Sequence, residues 1–463
     1  MSNIKLGVIA SLILLLVPGC SAWRGPSSEE IEKLKIRIEH GKPPQSTSNS
    51  EHSRKLWDWT KEVYASRQFR PAWLARGQVY TSADRLTRTL ENAPAEGLHA
   101  EDFALPEIQA LRESTGHSSD RNASAEFDVQ LTYSLVRYVS QLCFGRVDPK
   151  EIDPTWQSAQ RDCDVPRIVS DAVEQNQFES IAERLAPRIP EYRALKAALE
   201  QLRQAPVQHH IEKIEINLDR MRWMPDDLGP RHIRVNVPAF ELTVHDGDQV
   251  PLRMRAIVGS KENRTPIFSG EMQYIVFSPY WNIPLSIATK EFLPKIKQDP
   301  SYLSRQQIEV IRTSGQNIQT IDPANVDWDE VSDNLGYQLR QRPGASNSLG
   351  LVKFIFPNRY NVYLHDTPAD NLFDRLTRTL SHGCVRIERP AELAAYVLQD
   401  QPEWTSEGIE AAMHSEKEKH VPLKSRLPVH ITYWTALPDT NSGVEFRDDV
   451  YGYDEKHEAL ASR

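Results

Sequence analysis

The sequence predicts an α+β protein of more than one domain: an all-helical N-terminal scaffold followed by a predominantly β domain that carries a lid-like insertion. Two patterns predict it. Up to about Gln204, apolar residues recur every three or four positions, as in Phe127, Leu131, Leu135, Tyr138 and Leu142 and again in Tyr192, Leu195, Leu199 and Leu202, the spacing of helices with one buried face. Past Pro206 the period drops to two, in Ile233–Val237 and Glu241–His245, which is the alternation of half-buried strands. With 463 residues the chain has room for two or three separate cores.

In chain order, Leu6 to Gly19 is an apolar run behind Lys5, short for a bilayer span and placed as a secretory signal, so 1–19 is assigned to export. Val17-Pro18-Gly19-Cys20 resembles a bacterial lipobox, which implies lipidation of Cys20; Ser21 after it implies the outer membrane. Residues 20–53 are polar and read as a mobile tether with at most one short helix. The helical domain is expected over 54–205 and the β domain over 206–436, with Asp246-Gly247-Asp248 as a hairpin turn. Further strands are expected at Arg253–Val258, Gln273–Phe277, Val352–Phe356 and Asn361–Leu364. Between them, about 285–347 mixes helix with Gly-, Pro- and Asn-bearing loop, as a lid would. Residues 437–463 form a C-terminal extension.

The formal net charge of -9 comes with no long basic run, which argues against a nucleic-acid partner. No histidine pair has metal-ligand spacing, and no cofactor is expected. Cys143 and Cys163 are either a disulfide or two buried thiols. Cys384 is left as the odd thiol in an exported chain.

That thiol lies in Ser381-His382-Gly383-Cys384-Val385-Arg386, behind Tyr363-Leu364-His365-Asp366. A cysteine attacks as its thiolate, so it needs a base or a positive field. His382 and His365 are both available as the base. Gly383 lets the backbone turn and aim N–H groups at a developing oxyanion. Arg386 supplies a fixed cation suited to a substrate carboxylate and to favouring the thiolate.

These strings resemble the signature of the L,D-transpeptidase (YkuD-type) catalytic domain. The likeness extends over most of 54–453, through Leu218 to Trp223, Val235 to Phe240, Ser278 to Pro284, Phe446 to Gly452, and Arg70 to Trp73, Ala95 to Leu98 and Gly145 to Pro149 in the helical half. It points to the large Gram-negative branch that forms 3-3 cross-links in peptidoglycan. The resemblance implies Cys384 as nucleophile, His365 as base, a backbone carbonyl near Asp366 as the orienter of the imidazole, and His382 with Gly383 as the oxyanion loop. Tyr363, Trp281, Arg386 and Ser381 would bind the donor stem peptide. A second stem peptide is then the acceptor, and other wall-synthesis proteins are candidate partners. Resolution of the acyl-enzyme by water would instead make an L,D-carboxypeptidase, and by a protein lysine a lipoprotein-attaching enzyme; a non-catalytic wall-binding lipoprotein is the alternative from outside enzymology. Glu191 to Gln204 runs almost directly into Ile211, leaving no room for the small wall-binding module usual in this branch. Trp73, Trp223 and Phe240 are expected to pack rather than bind.

Overall fold

The computed structural model describes residues 25–44, 51–117, 121–159, 161–203, 208–314, 317–328, 337–439 and 443–462. The expected signal 1–19 and the lipidation site Cys20 lie outside the described residues. Among those described, no helix is long and apolar enough to cross a membrane.

The N-terminal half is helical. Its centre is α5 (Arg121–Phe144), with α1 (Ser28–His40), α2 (Glu51–Ser66), α3 (Thr81–Glu91), α4 (Leu105–His117), α7 (Val165–Gln175) and α8 (Ile181–Leu185) packed against it. Phe127, Leu131, Leu135 and Leu142, the periodic residues of the sequence, are all buried there. Asp128 on the same helix is buried, and its carboxylate accepts from the amides of Ala72 and Trp73 and from the Tyr64 hydroxyl. Trp73 is thus held as a core residue. Cys143, near the end of α5, forms a disulfide with Cys163.

The stretch expected to be a mobile tether contains a docked helix. In α1 the Ser27 hydroxyl accepts from the Glu30 amide and the Glu30 carboxylate reaches back to the Ser27 amide, a capping box that satisfies two otherwise orphaned groups. Leu34 and Ile38, four residues apart, are buried against the helical core. Two apolar residues sufficed where a mostly polar composition hid them.

The switch to β structure also comes later than Pro206. After α9 (Pro190–Leu202), α10 (Gln208–Arg222) buries Ile214, Leu218 and Met221 against α9 and against Trp434 and Ala436. Apart from a small hairpin of Leu74–Ala75 with Gln78–Val79 in the helical half, the strands begin at Arg231. They are β1 (Arg231–Asn236), β2 (Glu241–Asp246), β3 (Gln249–Gly259), β4 (Phe268–Phe277), β5 (Trp281–Asn282), β6 (Ile308–Ser314), β7 (Asn317–Ile321), β8 (Gln338–Gln341), β9 (Val352–Ile355), β10 (Leu364–His365), β11 (Thr379–Ser381), β12 (Val385–Ile387) and β13 (Lys419–Thr432), followed by a hairpin of Ala436–Asp439 with Gly443–Phe446. The main sheet runs β11-β3-β12-β10-β9-β4-β13-β1-β2, and β2 also pairs with β3, so the sheet closes on itself. Its interior is filled by alternate residues such as Val235, Leu242, Met254, Phe277, Leu364 and Val385.

Asn361–Leu364 is not the strand expected; only Leu364 and His365 pair. The Asn358 carboxamide accepts from the amides of Tyr360 and Val362 and donates to the Val362 carbonyl. An asparagine-centred turn therefore takes up the backbone groups a ladder would need.

The insertion folds as a unit. Short helical turns between Leu285 and Arg305 lie on a four-stranded sheet ordered β5-β8-β6-β7, with Ile296, Leu303, Val310 and Leu339 in its own apolar cluster. The C-terminal extension packs onto the main sheet: Tyr451 and Tyr453 are buried in its core, and the helix Tyr453–Ala461 places Asp454 on buried Arg220 of α10. Conversely Val147, Ile152 and Trp156, from the helical half by sequence, are part of that same core. The two halves share one apolar boundary.

Candidate active site

The site is built by two very short strands. In the parallel pairing of β10 with β12, Leu364 faces Val385 and His365 faces Arg386. Leu364 and Val385 are fully buried in the core. Side chains alternate along a strand, so His365 and Arg386 lie together on the opposite face. Tyr363 and Cys384 each stand just before one of these strands; the Tyr363 amide and hydroxyl reach the Cys384 sulfur, and the Tyr363 ring lies beside His365.

His365 is buried, and its Nδ1 lies 2.6 Å from the Asp366 carbonyl. A carbonyl only accepts, so Nδ1 carries the proton and Nε2 keeps its lone pair as a base. Burial, reinforced by the Arg386 cation, pushes the imidazole pKa down to about 3. The Asp366 carboxylate in turn accepts from the Thr367 amide at 2.7 Å and the Leu351 amide at 2.8 Å. Its position demands glycine at 350: φ there is +63°, and a Cβ would lie 2.3 Å from the Asp366 carboxyl.

Cys384 is half-buried, and its thiol points to the Asn361 carbonyl at 3.7 Å. Burial pushes the thiol pKa up, while the Tyr363 amide and hydroxyl and the Arg386 charge oppose the rise. The resting pair is therefore a neutral thiol and a neutral imidazole. Tyr363 stands beside His365 with ring centres 5.7 Å apart, and burial next to the sulfur pushes its own hydroxyl well above the usual tyrosine range. Arg386 makes no salt bridge among the described residues, and its buried Nε has no hydrogen-bond partner there. A cation held this way in a cleft wants an anion.

Three residues expected at the site, Ser381, His382 and Trp281, make contacts of another kind. Gly383 has φ +111°, while a Cβ there would meet nothing closer than the Arg264 carbonyl at 3.6 Å; conformation, not space, demands glycine. Its amide is engaged by the Ser381 hydroxyl at 3.1 Å, which also donates to the Cys384 carbonyl at 2.5 Å. Ser381 is buried and spent on bracing the loop, so it is not placed to bind a ligand. The Cys384 amide has no acceptor among the described residues. His382 is exposed and pairs with Glu291 of the insertion at 2.6 Å. That contact ties the insertion to the loop that carries Cys384, and nothing in the sequence signalled it, since the partners lie 91 residues apart. Trp281 is the third: it is half-buried in the lid sheet opposite Gln341, its ring 5.8 Å from that of Phe292, and packs with the lid's apolar cluster.

Among the described residues no group of three His, Cys, Asp or Glu side chains could hold a metal ion. Residues 58–199 match the family model described as a scaffold domain, and residues 230–419 match that of the L,D-transpeptidase catalytic domain. A Haemophilus influenzae protein bearing the name "Putative L,D-transpeptidase" is 32% identical over 400 residues, 85% of this chain and 77% of that protein. The match of residues 230–419 to this catalytic domain, the scaffold domain before it and the 32% identity over most of the chain place the protein in the L,D-transpeptidase family.

Proposed function

We propose that the chain forms 3-3 cross-links in peptidoglycan through an acyl-enzyme on Cys384. The observation that carries the reading is the cluster in which His365 faces Arg386 across the strand pair while Tyr363 reaches the Cys384 sulfur and stands beside the His365 ring. When the L-centre carbonyl of a tetrapeptide stem is held over Cys384, the thiol proton passes to His365 Nε2 as the S–C bond forms. The Cys384 amide is the backbone donor free to meet the oxyanion. Collapse breaks the C–N bond to the terminal D-alanine, whose amine takes the proton back from His365. A diaminopimelate side-chain amine of a second stem then attacks the thioester, gives a proton to His365 and restores the thiol. Arg386 holds a stem carboxylate by charge, and Tyr363 offers an apolar face with a polar tip.

Export, with the chain fixed to the outer membrane by lipid on Cys20, brings the enzyme to that substrate. Wall-synthesis proteins are its proposed partners, because α9 ends at Leu202 and α10 begins at Gln208, so no separate wall-binding module stands between them. The test is incubation with disaccharide-tetrapeptide and mass analysis of products. A 3-3 dimer absent from Cys384→Ala supports transpeptidation, tripeptide alone supports the carboxypeptidase, and failure of folded wild-type protein to be acylated by a carbapenem overturns the enzyme.

A further inference from the structure

Beneath the nucleophile loop lies a chain of buried polar contacts that leaves the catalytic face altogether. The Thr265 hydroxyl, fully buried, donates to the Gly383 carbonyl at 2.9 Å and accepts from the Gly259 amide at 2.8 Å. The Tyr451 hydroxyl, from beyond the last strand of the main sheet, donates to the Gly259 carbonyl at 2.7 Å and meets the Thr265 amide at 3.2 Å. The Arg264 guanidinium lies over the rings of Tyr451 and Tyr453. Asp153, a residue of the helical half, accepts from the Tyr453 hydroxyl and faces Arg264 at 3.8 Å.

The Gly383 carbonyl and the Cys384 amide belong to one planar trans peptide unit, so their C=O and N–H point in opposite directions. Whatever fixes that carbonyl aims that amide. Ser381 cannot do this, because it holds the two groups flanking the unit, the Gly383 amide and the Cys384 carbonyl. We infer that Thr265 is a positioning residue that sets the Cys384 amide as oxyanion donor, with Tyr451 locking Thr265 and Asp153 anchoring the assembly to the helical scaffold. The inference rests on the acyl-transfer reading above. It gives the scaffold a part in catalysis: it supports the rear of the oxyanion site.

The test separates donor geometry from general damage. Thr265→Val removes the hydroxyl and keeps the shape; kcat for acylation by tetrapeptide falls about 10- to 100-fold, the range expected when a reacting group is misplaced, with KM within about twofold. Thr265→Ser, which keeps the hydroxyl, restores most of the loss. Alkylation of the Cys384 thiol by iodoacetamide, which forms no oxyanion, is unchanged in either variant. Tyr451→Phe lowers kcat in the same direction and by less, and keeps the question open to test if Thr265→Val does not fold; Asp153→Asn is smaller again. The 1H–15N resonance of the Cys384 amide shifts in Thr265→Val and Tyr451→Phe, whether or not the protein turns over. Wild-type kcat in both variants, a serine variant as impaired as the valine, parallel loss of alkylation, or an unmoved Cys384 resonance overturns the inference. An inactive wild type with a shifted resonance in the variants would instead sink the activity reading and leave the loop support standing.

Discussion

His365 sits directly opposite Arg386 across the parallel pairing of β10 with β12, and the guanidinium helps burial to keep the imidazole neutral. The same cation favours the Cys384 thiolate. One charge therefore acts on the imidazole and the thiol together. Arg386→Gln is expected to raise the pKa of both His365 and Cys384 and to raise the donor KM by about tenfold or more, the cost of a lost charge-assisted hydrogen bond. NMR titration of the imidazole and steady-state kinetics on tetrapeptide check it; an unchanged KM would remove Arg386 from the donor site.

The neutral resting pair has a signature of its own. A thiolate–imidazolium pair alkylates rapidly down to low pH, whereas a neutral pair does so only as the thiol itself ionises. Iodoacetamide labelling of Cys384 is expected to rise in one step centred above the ordinary thiol range, with no inflection near 6.5. His365→Ala should abolish acylation by tetrapeptide and leave the upper step in place. A low-pH plateau in the wild-type labelling profile would contradict this assignment.

Three histidines make the fold sensitive to mild acid. Burial holds His245 and His365 near 3 and His430 near 4, whereas an unfolded histidine titrates at about 6.5. Between these values the unfolded chain binds more protons than the native one, so stability is full above about 6.5 and is lost as pH falls toward 4. Calorimetry should show Tm falling from pH 7 to pH 5, with uptake of about three protons on unfolding at pH 5 from these groups. A Tm independent of pH in that window would refute the burial argument.

The Cys143–Cys163 disulfide spans 20 residues and ties the end of α5 to the loop that leads into α7. Closing a loop of that size limits the unfolded chain by about 3 kcal/mol. Cys143→Ala with Cys163→Ala is expected to lower Tm by several degrees and to leave acylation at 25 °C unchanged, because the bond lies in the helical half. Loss of acylation by the folded double variant would place the disulfide in the catalytic machinery.

How much of the site was legible depended on the range of the interaction. Cys384, His365, Tyr363 and Arg386 could be read because the motif spacing carries the resemblance. The Asp366 carbonyl was anticipated from the family and stands 2.6 Å from Nδ1. The contacts of Ser381 with its own loop and of Trp281 with Phe292 were not legible, because a hydroxyl or an indole near a reactive thiol looks alike in sequence whether it meets a ligand or its own chain. One short helix was allowed for in the tether, but the docking of Ser28–His40 was not anticipated, because two buried residues decide it and composition averages over them.

The sequence by itself determined the order of helical and β halves, the odd thiol and its two candidate bases, since those follow from periodicity and chemistry within short windows. Only the tertiary structure decided that His382 faces Glu291 of the lid, that the segment after Asp439 completes the core, and that Thr265 holds the Gly383 carbonyl. Each of these joins residues far apart in the chain, where no local pattern constrains the partner and only packing selects it.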